Sequence, residues 1–163
     1  MAATDSAHEP GCDTERVTEL LGRRPQSTFT VVVRDTAGDP VVLRNAPLHD
    51  DGTPMPTLYW LAGKDALRRV SQLEAAGGVR EAERVIPAAA IAAAHARYAA
   101  ERDAAMPAGH TGPRPSGGVA GTRQGVKCLH AHYAYHLAGG DDPVGRWVAA
   151  RLAEAADTEA ADQ

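Results

Sequence analysis

The chain has 163 residues, 44% of them hydrophobic but only 4% aromatic, and a formal net charge of −4. That length suits one domain with a core of Leu, Val and Ala around a few bulky residues, and the charge excludes a general basic footprint for nucleic acid. No run approaches the ~20 apolar residues of a membrane span, the N-terminus lacks a basic-then-apolar leader pattern, and two cysteines make no disulfide framework, so a cytoplasmic protein is expected.

In chain order, residues 1–12 are small and polar and read as a disordered tail. The acidic, Ala-rich residues 157–163 read the same way, which leaves one domain over 13–156. A short helix follows the first tail, with Asp13 or Thr14 as N-cap and Val17, Leu20 and Leu21 on its apolar side, and Gly22 stops it. "STFTVVVRD" and "VVLRNAP" are β-branched runs joined by the turn "AGDP", and predict an antiparallel hairpin over 28–34 and 41–45. "LHDDGTPMPT" is a loop, with Asp51-Gly52 as its turn signal. "LYWLA" predicts a third strand.

From Lys64 the period becomes helical. Leu67, Val70, Leu73 and Glu74 share one side, and Gly77-Gly78 ends the run. A short helix at 79–85 stops near Pro87, and an Ala-rich helix spans about 88–105. A Gly/Pro-rich loop of roughly 18 residues comes next, a length usually functional or disordered. Helices around 126–138 and from Pro143 complete the chain, with Asp141 or Asp142 as N-cap of the last. Trp147, with Val144, Val148 and Leu152, is expected in the core. The fold class is therefore α+β: a small antiparallel sheet of two to three strands followed by four to five helices.

"DGTPMPTLYWL", "RRVSQLEAAGGVRE", "GVKCLHAHYAYHLAGG" and "DPVG" together resemble a family of uncharacterised bacterial proteins, mainly actinobacterial, catalogued as a domain of unknown function. The resemblance runs from about Leu20 to Val148. Genes of that family often lie near enolase, a septum-formation initiator and an exopolyphosphatase. The resemblance implies a protein partner in cell division or polyphosphate metabolism. It also implies a metal site, because relatives often carry Cys at the position of Asp35 and Cys or His at that of Gly63. Only Cys128 and His130 of those four positions hold ligand residues of that kind here.

The Cys/His stretch supports three readings. On a continuous helix Cys128, His132 and His136 share a face, while Cys128 and His130 point about 200° apart. His132 and His136 have the i, i+4 spacing of a helical zinc pair. Cys128 and His130 converge only if Cys128 stands at or before the first turn, which "GTRQG" allows. Asp35 would then offer an oxygen, giving the set Cys128, His130 and Asp35 for zinc. A thiol there would also be activated by the helix N-terminus and Lys127. The third reading is plain packing, with Cys128 as a small hydrophobe.

Asp51, Thr53 and Thr57 could present polar groups to a ligand from a loop fixed by its turn and prolines. "HDD" at 49–51 could supply metal oxygens, but alone it is a weak signal and a solvated turn explains it better. Arg114 and Arg123 lie in a glycine-rich loop without a phosphate-binding pattern, and no serine-hydrolase signature occurs. The expectation is a small cytoplasmic binding or regulatory domain with a partial Cys/His metal site. An enzyme using Cys128 and His130 is the alternative, and the protein partner implied by the resemblance is the third. Membrane and nucleic acid are not expected partners.

Overall fold

The computed structural model describes residues 10–161. Helix α1 (Pro10–Leu21) leads into a meander of β1 (Phe29–Arg34), β2 (Pro40–Asn45) and β3 (Tyr59–Leu61), antiparallel and in the order β1-β2-β3. Helices α2 (Lys64–Ala75), α3 (Gly78–Val85), α4 (Ala88–Ala104), α5 (Leu129–Leu137) and α6 (Pro143–Ala161) follow. This is the expected α+β arrangement, three strands and then five helices.

The sheet is covered on both faces because its strands alternate. Val42 of β2 joins the main core with Leu58, Leu61, Val70, Tyr98, Leu129, Val144 and Val148, while the adjacent Leu43 points the other way and meets Val17 of α1. In β1 a bulge at Val32 shifts the register, so that Val31 pairs with Leu43 but Val33 pairs with Val42. Residues two apart normally share a face. The extra residue turns Val33 into the main core while Val31 stays under α1.

Two boundaries differ from expectation. Helix α1 is already formed at Pro10, so Asp13 lies inside it; its carboxylate accepts two hydrogen bonds from Arg34 of β1, at 2.7 and 2.9 Å, and is not a cap. Residues 1–9 of the expected first tail lie outside the described residues. At the other end α6 continues through Ala161, since neither Gly nor Pro follows Gly145 to stop an Ala-rich helix. Residues 162 and 163 lie outside the described residues. Trp147 is only half-buried, packed on the margin of the core with Arg151 5.8 Å from its ring centre, whereas Val144 and Val148 are fully buried.

The long loop after α4 is pinned by two buried basic side chains of that helix. Arg102 is 1% exposed; its guanidinium donates to the carbonyls of Gly117 at 2.9 Å, Ser116 at 3.4 Å and Pro56 at 3.5 Å. His95 accepts the Val119 N–H at Nδ1 (3.1 Å) and donates from Nε2 to the Gly125 carbonyl (2.8 Å). Gly125 then turns the chain toward α5 with φ +67°, and a Cβ there would stand 2.4 Å from Glu83 Oε1. Glu83 accepts the next amide, Val126 N–H, at 2.8 Å. The loop thus delivers Cys128 to a fixed place.

Candidate functional site: a cysteine, histidine and glutamate beside a cavity

Helix α5 begins at Leu129, and Cys128 is its N-cap with extended backbone, φ −153° and ψ 152°. That one fact changes the geometry of the stretch. An extended Cys128 is not bound to the 100° step of a helix, so its thiol can lie beside the His130 ring. Cys128 makes no capping hydrogen bond of its own. The cap is supplied by Glu74, at the end of α2, whose Oε1 accepts the Leu129 N–H. The same oxygen lies 3.0 Å from His130 Nδ1.

One donor atom from each of Glu74, Cys128 and His130 lies within 4.8 Å of the other two. The Glu74 and His130 side chains are each 25% exposed, and Cys128 is a half-buried free thiol. His130 Nε2 meets Ser71 Oγ at 3.1 Å, one turn before Glu74. His130 Nδ1–H donates to Glu74 Oε1, and a cation bound at Nδ1 would take the place of that proton. The His130 pKa is raised, first by its hydrogen bond to Cys128 and further by the Glu74 charge, against an opposing effect of burial. The surroundings therefore favour the protonated imidazole, and a cation at this cluster would have to displace that proton.

Thiolate, imidazole and carboxylate together are a zinc donor set. In a tetrahedral zinc site, bonds of about 2.0–2.3 Å put donors about 3.3–3.8 Å apart. The observed cluster needs only a small closure to reach this. Three protein donors would leave a fourth position open, as in zinc sites that bind a further ligand.

The oxygen donor beside Cys128 and His130 is Glu74 and not Asp35. Asp35 sits in the β1–β2 turn, where its Oδ1 accepts the Ala37 and Asp39 N–H groups, both at 2.9 Å. Gly63 precedes α2 and Glu74 lies near its end, about 16 Å apart along the axis by helical rise. The Asp35 and Gly63 positions therefore do not complete a site with Cys128.

The later histidines have different surroundings. His132 is 1% exposed, and its Nδ1–H donates to Asp142 Oδ2 at 2.6 Å. Asp142 Oδ1 accepts Val144 N–H (2.8 Å) and Gly145 N–H (2.9 Å), the N-cap of α6 that the sequence reading expected of Asp141 or Asp142. His136 is half-buried and is not part of the donor cluster.

Cys128 and His130 open onto a cavity of about 460 Å³. Tyr59, Trp60 and Leu61 all line it. Consecutive strand residues point to opposite faces, so the cavity straddles the free edge of β3. The linker between α1 and β1 closes it through Arg23, Arg24, Gln26 and Ser27, and the loop before β3 adds His49, Met55 and Thr57.

Of the three loop residues expected to face a ligand, only Thr57 lines this cavity. Thr53 donates to Asp51 Oδ1 from its hydroxyl (2.6 Å) and its N–H (2.9 Å), which holds the Asp51 carboxyl below its ordinary pKa. Both line a neighbouring hollow with Arg24 and His49. Glu74, Ser71, Arg23 and Arg24 are not among the sequence's site candidates, and His49 enters there only as part of "HDD". Glu74 did carry a signal, as an acid on the inward side of an amphipathic helix.

No curated protein and no solved structure matches the chain. A family model described as "Protein of unknown function (DUF501)" matches residues 31–150, a span that includes Glu74, Cys128 and His130. The chain belongs to this DUF501 family of proteins of unknown function.

Proposed function

We propose that this protein is a small-molecule binding domain in which Cys128, His130 and Glu74 hold one zinc ion at the wall of the cavity. The observation that carries the reading is the convergence of three zinc-type donors, 4.8 Å or less apart, where two of them line a cavity of about 460 Å³. Ser71 holds the imidazole from behind, the kind of support that fixes a histidine ligand's tautomer and direction. Three protein donors would leave room for a further ligand, and Thr57 offers a hydroxyl in the cavity that Cys128 and His130 line. Zinc there would supply a Lewis acid. Cys128, His130 and Glu74 would hold it, and Tyr59, Trp60 and Leu61 line the same cavity. A free Cys128 thiol suits a reducing compartment, which supports a cytoplasmic setting. No helix of the described residues is long and apolar enough to cross a membrane.

The test is metal analysis of untagged protein, wild type beside Cys128→Ser and Glu74→Gln. The expected result is one zinc per wild-type chain, little or none in Cys128→Ser, and weaker retention in Glu74→Gln. Wild-type protein free of zinc, and unable to take it up when zinc is added, would refute the metal site. If the metal-free wild type then reacted fast with iodoacetamide, and His130→Ala slowed it, Cys128 would be a nucleophile activated by His130.

A further inference from the structure

We infer that the cavity binds a small organic anion, with its carboxylate or phosphate group held by Arg23 and Arg24 and its apolar body lying along Trp60. This deepens the proposal above and rests on its choice of this cavity as the working site, but not on the metal. The first observation is the sign of the lining. The cavity is walled by two arginines, two histidines and a cysteine, and by no aspartate or glutamate. Arg23 and Arg24 put two guanidinium groups at one end of it, and Arg24 also borders neighbouring hollows that hold Glu15, Glu19, Asp50 and Asp51.

The second observation is that these arginines are not used by the fold. No ion pair among the described residues involves Arg23 or Arg24. Arg102, by contrast, is buried and consumed by carbonyls, and Arg16 and Arg34 are bound to Asp39 and Asp13. Arg23 lies over the Trp60 ring, with its Cζ 5.3 Å from the ring centre. A cation–π contact of this kind uses none of the guanidinium N–H groups as hydrogen-bond donors. A planar fork of donors so presented matches a carboxylate or a phosphate.

The third observation is an orphaned atom. His49 lines the cavity, and its Nδ1 is buried without a hydrogen-bond partner among the described residues. Buried polar atoms are rarely left so, and one this enclosed gains a partner only if the His49 side chain turns or a water or ion enters beside it. Trp60, Met55 and Leu61 give the rest of the wall an apolar character. A volume of about 460 Å³ lies within the ordinary range for small-molecule sites. An anionic group at the arginines would leave the rest of the molecule directed at Thr57 and at the Cys128–His130 wall.

The test is calorimetric titration of the full-length untagged protein with phenyl phosphate, benzoate and the neutral benzyl alcohol. At least one anion should bind, with benzyl alcohol binding at least about tenfold more weakly; which anion binds tighter separates phosphate from carboxylate. Arg24→Gln and Arg23→Gln should each weaken the anion about tenfold or more, the loss of one charge-assisted contact. A rise in sodium chloride should weaken the wild-type complex too, a readout that needs no variant. Equal binding of alcohol and anions, no binding of either anion at millimolar concentration, or unchanged affinity in folded arginine variants would each overturn the inference. Zinc measured on the same samples separates the two proposals. Anion binding that survives in zinc-free Cys128→Ser leaves this inference standing, while zinc retained without anion binding sinks this one alone.

Discussion

His130 and His132 stand two residues apart on α5, and each pairs with a carboxylate from another part of the chain. His132 and Asp142 are 1% and 0% exposed; His130 and Glu74 are 25% exposed each. The buried pair spends all three of its strong hydrogen bonds on one structural task, joining α5 to the start of α6. The other pair has a thiol beside it and a cavity in front of it. The same residue types give a clamp in one place and a donor cluster in the other. The difference lies in what faces the imidazole, which follows from the 200° between neighbouring positions i and i+2.

The largest effect should come from breaking the clamp. Asp142→Ala removes the N-cap of α6 and leaves a buried imidazole unpaired, so it should cost about 3–5 kcal/mol in urea unfolding. The folded fraction should still take up zinc. A loss below about 1 kcal/mol would mean that the clamp is not structural.

Breaking the other pair should act on metal first. Cys128→Ser should lower the thermal midpoint when zinc is present, because binding to the native state adds to stability. With a chelator present, wild type and Cys128→Ser should agree to about 1 kcal/mol, since the thiol is only half-buried. A large difference that persists in chelator would make Cys128 a packing residue.

Ser71→Ala sharpens the comparison further. Loss of the group behind a histidine ligand typically weakens metal binding by about 10–100-fold. Stability without metal should barely move, because Ser71 is exposed. Unchanged zinc affinity would show that Ser71 does not hold His130.

The smallest effect lies away from both histidines, at the docking of α1. Arg16 donates to both Asp39 oxygens and holds that carboxyl below its ordinary value of 3.8. A lowered folded pKa gives stability that is complete above the unfolded value and is lost as the pH falls through the folded one. Asp39→Asn should flatten that part of the acid-unfolding profile slightly, the pair being only half-buried and open to solvent screening. An unchanged profile would mean that Arg16 and Asp39 do not interact in solution.

Much of the fold was legible because its signals are local. "STFTVVVRD" and "VVLRNAP" are β-branched runs around a turn, and Leu67, Val70 and Leu73 repeat at helical spacing. The bulge at Val32 was not legible, since nothing in "TVVVR" tells which valine is skipped. The site was half legible. Cys128 and His130 could be paired only by supposing a break in the helix, and the turn at Gly125 with the Glu83 contact provides one. Glu74 is 54 residues from Cys128 in sequence, and only the packing of α2 on α5 brings them together. Asp35 was chosen by the resemblance, and the hairpin turn uses its carboxylate. Arg23 and Arg24 read as "RRP", a turn; their meaning depends on a cavity formed by β3 and α5.

Zinc K-edge X-ray absorption on the untagged protein tests the central claim most directly. The account requires one sulfur at about 2.3 Å and nitrogen or oxygen donors at about 2.0–2.1 Å in the first shell. A shell without sulfur, or protein that neither carries nor takes up zinc, would contradict it.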